Sequence, residues 1–124
     1  NVALVSRCEG VGSEPALEAA DSLLTELGAA KWAGARPEEV PEDARQLAAL
    51  ARAVVRPAEL LVLDDPLASV RTVEWQRLVP WLRARCASAI VFTHRRNDVL
   101  YDAADRVISW DARGWREVSP RELT

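Results

Sequence analysis

The chain has 124 residues, of which 49% are hydrophobic and 28% are charged, so it can bury a core as one domain or as part of one. Its formal net charge of −3 excludes an electrostatic argument for binding nucleic acid or an anionic membrane surface. No apolar run approaches the roughly 20 residues that a membrane-spanning helix needs, and no signal peptide is visible.

The histidine, cysteine and methionine content narrows the range of sites further. Cys8 and Cys86 lie far apart and fit no metal-binding spacing, so the reduced thiols of a cytosolic protein are expected. His94 is the single histidine, which excludes a metal site built from several histidines. The sequence starts at Asn1 and contains no methionine. It is therefore expected to be either a processed chain or a piece of a longer one.

Helical periodicity dominates the first part of the chain. The spacing of apolar residues predicts a helix over 16–27 that ends at Gly28. Glycine and proline predict a loop over 29–41, and a second helix follows from about 41 to 55, ended by Pro57. The predicted inward faces are Leu17, Ala20, Leu23, Leu24 and Leu27 on the first helix and Leu47, Leu50, Ala51, Val54 and Val55 on the second.

Strands and helices alternate in the rest of the chain. LLVLD, at 60–64, is continuously apolar and predicts a strand buried on both faces. A helix over 73–85 and a second buried strand over 89–94 (AIVFTH) follow, and then 106–110 and 115–118 predict a β-hairpin. Strands that alternate with helices predict an α/β fold with a mostly parallel sheet. The inward residues of this third helix are predicted to be Trp75, Leu78, Val79 and Leu82.

Both predicted buried strands end on polar residues. Asp64 and Asp65 close the first strand, and Thr93 and His94 close the second. Ligands of parallel α/β sheets bind at the carboxyl ends of the strands, so these four residues are candidate site residues. Adjacent carboxylates repel each other, and a metal ion, a phosphate site or plain solvent exposure would each make the pair tolerable.

Two segments that contain these strands resemble the ATP-binding domain of ABC transporters. QLAALARAVVRPAELLVLDDPLASV, residues 46–70, is similar to the signature helix of that family running into its Walker B strand. AIVFTHRRNDVLYDAADRVISWDARG, residues 89–114, resembles the histidine-switch segment and the strand that follows it. The opening NVALVSR resembles the stretch just after the glutamine loop of the family. The resemblance thus covers nearly the whole chain.

The resemblance implies a P-loop NTPase-like, mostly parallel sheet with flanking helices, of which only the second half is present. Residues 1–56 would form a helical subdomain with a degenerate signature helix, and residues 57–124 the Walker B and histidine-switch part of the ATPase core. The Gly-rich phosphate loop of the family, G-x-x-x-x-G-K-[ST], occurs nowhere in the 124 residues, and the glutamine loop is also absent. Nothing present would therefore cradle the β- and γ-phosphates with backbone N–H groups and a lysine.

The family's site roles transfer to three residues. Asp64 matches the Walker B aspartate, which holds Mg²⁺ through water. His94 matches the switch histidine, which contacts the γ-phosphate and so serves both nucleotide binding and catalysis. Asp65 stands where the family has the glutamate that polarises the attacking water. It is shorter by one methylene, roughly 1.5 Å. A misplacement of about 1 Å can cost on the order of 100-fold in rate, so slow turnover is expected.

Two other motif positions depart from the family. VPEDA, at 40–44, occupies the register of the LSGGQ signature, whose serine and glycines bind the γ-phosphate on the partner subunit. Pro41 removes an N–H donor, and Glu42 and Asp43 add negative charge where a phosphate would bind. Both acids suit the start of a helix, so the signature is expected to be inactive. Arg71 replaces the aspartate of the family's D-loop, which puts the usual contact across the dimer in doubt.

The resemblance implies an ABC transporter ATP-binding protein, in which ATP binding and hydrolysis drive transport across a membrane. ATP and Mg²⁺ are the implied cofactors, once the missing phosphate loop is supplied. The implied partners are a second ATP-binding subunit, as a homodimer or heterodimer, and a transmembrane transporter subunit, with no nucleic acid. The implied location is cytoplasmic, peripheral at the inner face of the membrane. The alternative is a non-catalytic pseudo-ATPase that acts as a scaffold or interaction module.

Overall fold

The structure, a computed structural model, describes residues 1–66, 68–94 and 98–119. Predictions that fall on Leu67, on 95–97 or on 120–124 lie outside the described residues. In chain order, the helices and strands are α1 (Val2–Cys8), α2 (Ser13–Glu26), α3 (Glu42–Val54), β1 (Ala58–Asp64), α4 (Thr72–Arg83), β2 (Cys86–Phe92), α5 (Asp98–Ala103), β3 (Val107–Asp111) and β4 (Gly114–Val118).

The predicted helices α2, α3 and α4 and all four predicted strands are confirmed, with ends shifted by a few residues. The predicted loop over 29–41 contains two short 3₁₀ helices, Ala30–Trp32 and Pro37–Glu39. Helices α1 and α5 were not predicted from the sequence. They have only 7 and 6 residues, too few for helical periodicity to stand out.

Gly28 ends α2 as predicted, and the structure shows how. Its φ of +76° lies in the left-handed region, which glycine adopts without a steric cost. The N–H of Gly28 donates to the carbonyl of Thr25 at 3.0 Å, and the N–H of Ala29 donates to that of Leu24 at 2.7 Å. This pair of bonds is a Schellman motif, which satisfies carbonyls that a helix end otherwise leaves unpaired.

The strands form two separate pairs. β1 and β2 are parallel, with Val62 opposite Ile90 and Asp64 opposite Phe92. β3 and β4 form the predicted antiparallel hairpin, in which Trp110 pairs with Trp115 and the two ring centroids are 5.9 Å apart. The described sheets therefore combine one parallel pair with one hairpin, within a mixed α/β fold.

One hydrophobic core joins the helices to one face of β1. It extends from α1 and α2 through α3 to α4, with Leu27 and Leu78 the largest fully buried side chains. Leu61 and Leu63 supply the contribution of β1. The prediction that Leu17 faces inward is wrong, because its side chain is 56% exposed on the outer side of α2. The division of the chain at 56/57 stays a prediction.

Helix α4 is tied to the C-terminal end of α2 by polar contacts. The Nε1–H of Trp81 donates to the Glu26 carboxylate at 2.7 Å, and Arg85 forms an ion pair with the same carboxylate while its guanidinium lies 4.1 Å from the centre of the Trp81 ring. Arg77 donates to the backbone carbonyls of Glu26 at 2.7 Å and of Leu27 at 3.3 Å. We call these residues the α2–α4 clamp.

The second face of the parallel pair differs from the sequence prediction. Strands buried on both faces were expected, but Leu60, Val62, Ile90 and Phe92 are 51%, 57%, 46% and 49% exposed. Side chains alternate along a strand, so Leu61 and Leu63 reach the core while Leu60 and Val62 face the other way. No element among the described residues covers that second face.

Candidate functional site

The parallel pairing of β1 and β2 brings the predicted site residues to one edge. Asp64 is the last residue of β1 and is paired with Phe92, the last residue of β2. Asp65, Thr93 and His94 follow directly on their strands. The structure therefore brings these residues together at the carboxyl ends of the strands, where ligands of parallel α/β sheets bind.

Asp65 is the centre of this cluster. Its N–H donates to the carbonyl of Phe92 at 2.7 Å, so the backbone link between the two strands continues one residue beyond β1. Its φ of +41° is a left-handed conformation that aspartate tolerates better than most residues with a Cβ. The Thr93 hydroxyl donates to Asp65 Oδ1 at 3.3 Å, and His94 Nδ1 lies 3.3 Å from Asp65 Oδ2.

The two partners differ in their access to solvent. The Asp65 side chain is 28% exposed, whereas the His94 ring is 75% exposed. With Nδ1 directed at the carboxylate, the Nε2 atom of His94 is left for a ligand. Nε2 accepts a hydrogen bond when the ring is neutral and donates one when it is charged. The pair can therefore present either a proton acceptor or a donor beside a half-buried carboxylate.

Asp64 stands apart from this pair. It lies on the exposed face of β1 with Leu60 and Val62, because side chains alternate along the strand. Within the described ranges, no group of three or more histidine, cysteine, aspartate or glutamate side chains is placed to hold a metal ion. Mg²⁺ keeps several waters and binds one or two carboxylates together with substrate phosphates. An exposed carboxylate at a rigid strand end suits that mode of binding.

The N-terminal end of α3 carries the residues at the predicted signature position. Pro41 is the N-cap, and Glu42 and Asp43 lie in the first turn. Asp43 Oδ1 accepts the N–H of Ala44 at 2.8 Å, and Glu42 forms an ion pair with Arg45. The two acids thus interact with the helix itself, where negative charge beside the N-terminal dipole is favourable.

Sequence reasoning missed a contact between α3 and the loop after β1. Gln46 Oε1 accepts the N–H of Ser69 at 3.0 Å, and Gln46 Nε2 donates to the Ser69 hydroxyl at 3.3 Å. The residues are 23 positions apart, so no local pattern signals the contact. Arg71, further along the same loop, lies 3.4 Å from Glu74 in an ion pair within α4.

Comparison with known proteins identifies relatives of this chain. No protein-family model matches the chain. It is 37% identical over 107 residues to the aliphatic sulfonates import ATP-binding protein SsuB 1 of Streptomyces avermitilis, a match that covers 82% of this chain and 40% of the relative. It is 36% identical to SsuB 2 of Frankia alni (84% and 44%) and 28% identical to the lipoprotein-releasing system ATP-binding protein LolD 1 of Rhodospirillum rubrum (88% and 49%).

The chain belongs to the ABC transporter ATP-binding proteins and corresponds to their C-terminal part. It spans less than half the length of these three relatives. Among solved structures, it is similar to a chain of a metal-chelate type ABC transporter in an inward-facing conformation. The TM-score is 0.72 at 17% identity, over 98% of this chain and 52% of that one, which supports the α/β fold. None of the described helices is long and apolar enough to cross a membrane.

Proposed function

We propose that the chain supplies the magnesium and γ-phosphate side of an ATP site, in a protein that couples ATP binding and hydrolysis to transport. The observation that carries this proposal is the position of Asp64, Asp65 and His94 at one edge of a parallel strand pair. The relatives support it, because their names describe ATP-binding proteins of import and release systems. The finer roles of the residues are proposed from the family resemblance together with these positions.

Asp64 would hold Mg²⁺ through water, and His94 would contact the γ-phosphate of ATP. When bound, Mg²⁺ neutralises negative charge on the phosphate oxygens. The exposure of Asp64 and of the His94 ring suits contact with a ligand at the surface. The phosphate loop would come from a segment that corresponds to the part of the relatives that this chain does not match.

Asp65 would orient the attacking water and accept its proton. Both of its carboxylate oxygens already have a neighbour at 3.3 Å, Thr93 on Oδ1 and His94 on Oδ2. Each oxygen keeps a second lone pair for a water, so the contacts position the group without using it up. Because the side chain is shorter than glutamate, we expect turnover to be slow.

The proposed partners are a second ATP-binding subunit and a transmembrane transporter subunit, with the protein peripheral to the cytoplasmic face of the membrane. The proposed division is a helical region over 1–56 and an ATPase-core region over 57–124. An open concavity of about 500 Å³ lies where α1 meets α2, lined by Leu4, Cys8 and Val11 among others. The lining also includes Arg7 and Ser13, and an open surface of such mixed polarity suits contact with another protein.

A non-catalytic scaffold is the second candidate, and two observations favour it. Glu42 and Asp43 occupy the N-terminal turn of α3 with their own carboxylates, which opposes phosphate binding there. Arg71, in place of the D-loop aspartate, is the N-cap of α4 and is paired with Glu74 in the first turn of that helix. A protein of this kind would bind ATP without turnover, or would not bind it at all.

Titration with ATP and Mg²⁺ tests these assignments. The chain is mixed with the N-terminal portion of the Streptomyces avermitilis relative, which supplies the phosphate loop, and ATP affinity is measured with and without Mg²⁺. Asp64→Asn should remove most of the Mg²⁺-dependent gain in affinity. The matched control is Glu59→Gln, at the opposite end of the same strand, which should leave the gain intact. An unchanged gain in Asp64→Asn contradicts the magnesium role.

Turnover separates the two candidates. Slow ATP hydrolysis that Asp65→Asn and His94→Ala both abolish supports the catalytic proposal. Binding without hydrolysis supports the scaffold. A rate that persists after Asp65→Asn refutes a catalytic role for that residue. Micromolar ATP affinity of the chain alone would contradict the need for a phosphate loop from elsewhere.

A further inference from the structure

The side chain of Gln46 connects the first turn of α3 to the loop after β1. Its Oε1 accepts the Ser69 N–H at 3.0 Å, and its Nε2 donates to the Ser69 hydroxyl at 3.3 Å. The same Nε2 donates to Glu42 Oε1, one turn earlier on α3, at 3.2 Å. We call these three residues the α3 brace (Glu42, Gln46 and Ser69). One amide thus uses both N–H donors and its oxygen at once, which fixes its orientation.

Glu42 gives the amide of Gln46 its direction. It stands at the position where the family resemblance implies a phosphate-binding signature, but its carboxylate oxygens have partners within α3. Oε1 accepts from Gln46, and Oε2 is paired with Arg45. Because Glu42 accepts only from the nitrogen of the Gln46 amide, the amide oxygen is left to face the Ser69 N–H.

The brace lies close in sequence to the centre of the candidate site. Ser69 is four positions after Asp65. The Asp65 N–H is bound to the Phe92 carbonyl at 2.7 Å, so contacts hold the chain toward β2 at one residue and toward α3 at the other. Asp65 has a left-handed φ of +41°, and a backbone in that region persists where the surrounding structure restrains it. The two anchors therefore restrain the carboxylate of Asp65 together.

We propose that Gln46, oriented by Glu42, is a positioning residue for Asp65. It fixes the loop after β1 and, through that loop, the carboxylate that would accept a proton from the attacking water. The catalytic part of this proposal rests on the proposed function, whereas the restraint on Asp65 does not. The acid at the signature position thus adds an internal contact that supports the other end of the site.

Amide hydrogen exchange, followed by NMR on the chain alone, tests the restraint without ATP. Gln46→Leu removes both contacts with Ser69. It should speed exchange of the Ser69 N–H at least about tenfold and of the Asp65 N–H at least about threefold. The N–H of Leu61, a buried residue of β1, should exchange at an unchanged rate. Gln76→Leu is the matched control, because it makes the same substitution at an exposed glutamine of α4.

A swap of the two side chains separates hydrogen bonding from other effects. Gln46→Glu alone places two carboxylates one turn apart, where they repel, so the Ser69 N–H should exchange faster. Adding Glu42→Gln restores a donor opposite an acceptor and keeps an oxygen for the Ser69 N–H, so slow exchange should return. Among single substitutions, Glu42→Ala should speed this exchange more than Asp43→Ala, because Asp43 contacts the N–H of Ala44 and not the brace.

Turnover tests the catalytic part in the mixture that supplies the phosphate loop. Gln46→Leu should lower kcat about tenfold, because a small displacement of the proton acceptor slows the reaction. KM for ATP should change less than about twofold, because Asp64 and His94, which would bind the nucleotide, lie outside the brace. The swap of Glu42→Gln with Gln46→Glu should recover most of the lost kcat, and Gln76→Leu should leave both constants unchanged.

Four results would overturn the proposal. Unchanged exchange of the Ser69 N–H in Gln46→Leu shows that the brace does not form in solution. Faster exchange at Ser69 without any change at Asp65 confines the contact to the loop. Equal acceleration at Leu61 shows that Gln46 supports the fold as a whole and is not a positioning residue. A loss of kcat that the swap does not recover separates turnover from these hydrogen bonds.

The two readouts keep this proposal distinct from the proposed function. If the unsubstituted mixture does not hydrolyse ATP, the proposed function is contradicted, while the exchange rates at Ser69 and Asp65 still decide whether Gln46 restrains that carboxylate. If the mixture hydrolyses ATP and Gln46→Leu changes neither exchange nor kcat, the proposed function stands and the positioning role is rejected.

Discussion

The helical side and the strand side of the molecule both carry apolar side chains, but they bury them to different extents. In α2 and α4, leucines at helical spacing meet in a shared core, where Leu27 and Leu78 are almost completely buried. On one face of β1 and β2, by contrast, Leu60, Val62, Ile90 and Phe92 remain about half exposed. The comparison shows that the described residues bury the apolar side of the helices but leave one apolar face of the strand pair without a covering layer.

The polar contacts follow the same division. The α2–α4 clamp joins residues 50 to 59 positions apart in sequence. In the hairpin, the ion pair between Arg106 and Glu117 connects only the two ends of one local unit. Long-range contacts therefore hold the helical side together, whereas the described ion pairs of the hairpin stay within it.

Truncation of matched leucines should produce the largest difference between the two sides. Leu78→Ala removes a fully buried side chain and leaves a cavity, so it should lower the free energy of unfolding by about 2–5 kcal/mol. Leu60→Ala on the exposed face of β1 should cost less than about 1 kcal/mol, because half of that side chain is already in water. Urea unfolding followed by circular dichroism measures both.

Equal losses for the two leucines would mean that the exposed face of β1 is already covered in the isolated protein. Repeating the measurement over a range of protein concentrations shows whether self-association is the cause.

An intermediate effect is expected at the α2–α4 clamp. Trp81→Phe keeps the aromatic ring but removes the Nε1–H that donates to Glu26, so it should cost about 1 kcal/mol in the free energy of unfolding. Trp110→Phe is the control on the strand side, because that indole is 68% exposed. If Trp110→Phe lowers the free energy of unfolding as much as Trp81→Phe does, the hydrogen bond from Trp81 to Glu26 makes no specific contribution to stability.

The smallest effect is the pH dependence of the hairpin. Arg106 donates from Nε and Nη2 to the Glu117 carboxylate at 3.2 and 3.0 Å, and these hydrogen bonds, with the attraction between the charges, lower the pKa of Glu117. A carboxyl group with a lowered pKa in the folded state stabilises that state above its unfolded pKa. The contribution is lost as the pH falls through the folded pKa.

An NMR titration of the Glu117 carboxyl carbon measures this shift. Arg106→Gln should raise the pKa of Glu117 toward its ordinary value, and Arg113→Gln should leave it unchanged. No rise after Arg106→Gln would mean that the ion pair does not persist in solution. Because both side chains lie on the surface, the accompanying change in stability should be small.

Much of the fold was predictable because its signals are local. The apolar spacing of Leu23, Leu24 and Leu27 and the stop at Gly28 defined α2, and the apolar runs before Asp64 and Thr93 defined the parallel strands. The edge where the site residues meet followed from strand polarity alone. The convergence of Asp65 and His94 was therefore expected before their 3.3 Å separation was seen.

The remaining features depend on partners distant in sequence. The clamp needs Glu26 at the end of α2 and Arg85 in the turn after α4, and the contact of Gln46 with Ser69 joins α3 to a loop. The two members of such a pair lie too far apart in the sequence for a local pattern to include both. The prediction that β1 is buried on both faces was wrong for a related reason. An apolar run shows that a strand is suited to burial, but it does not show whether another element covers each face.

Arg77 has a practical consequence for dividing this protein into parts. It binds the last carbonyls of α2, at Glu26 and Leu27, so the end of that helix is completed by a residue 50 positions further along the chain. A polypeptide cut at 56/57 would separate the helix from this cap and from Trp81 and Arg85. Studies that express the helical region by itself should therefore retain the chain through Arg85, so that all of these contacts with the end of α2 are kept.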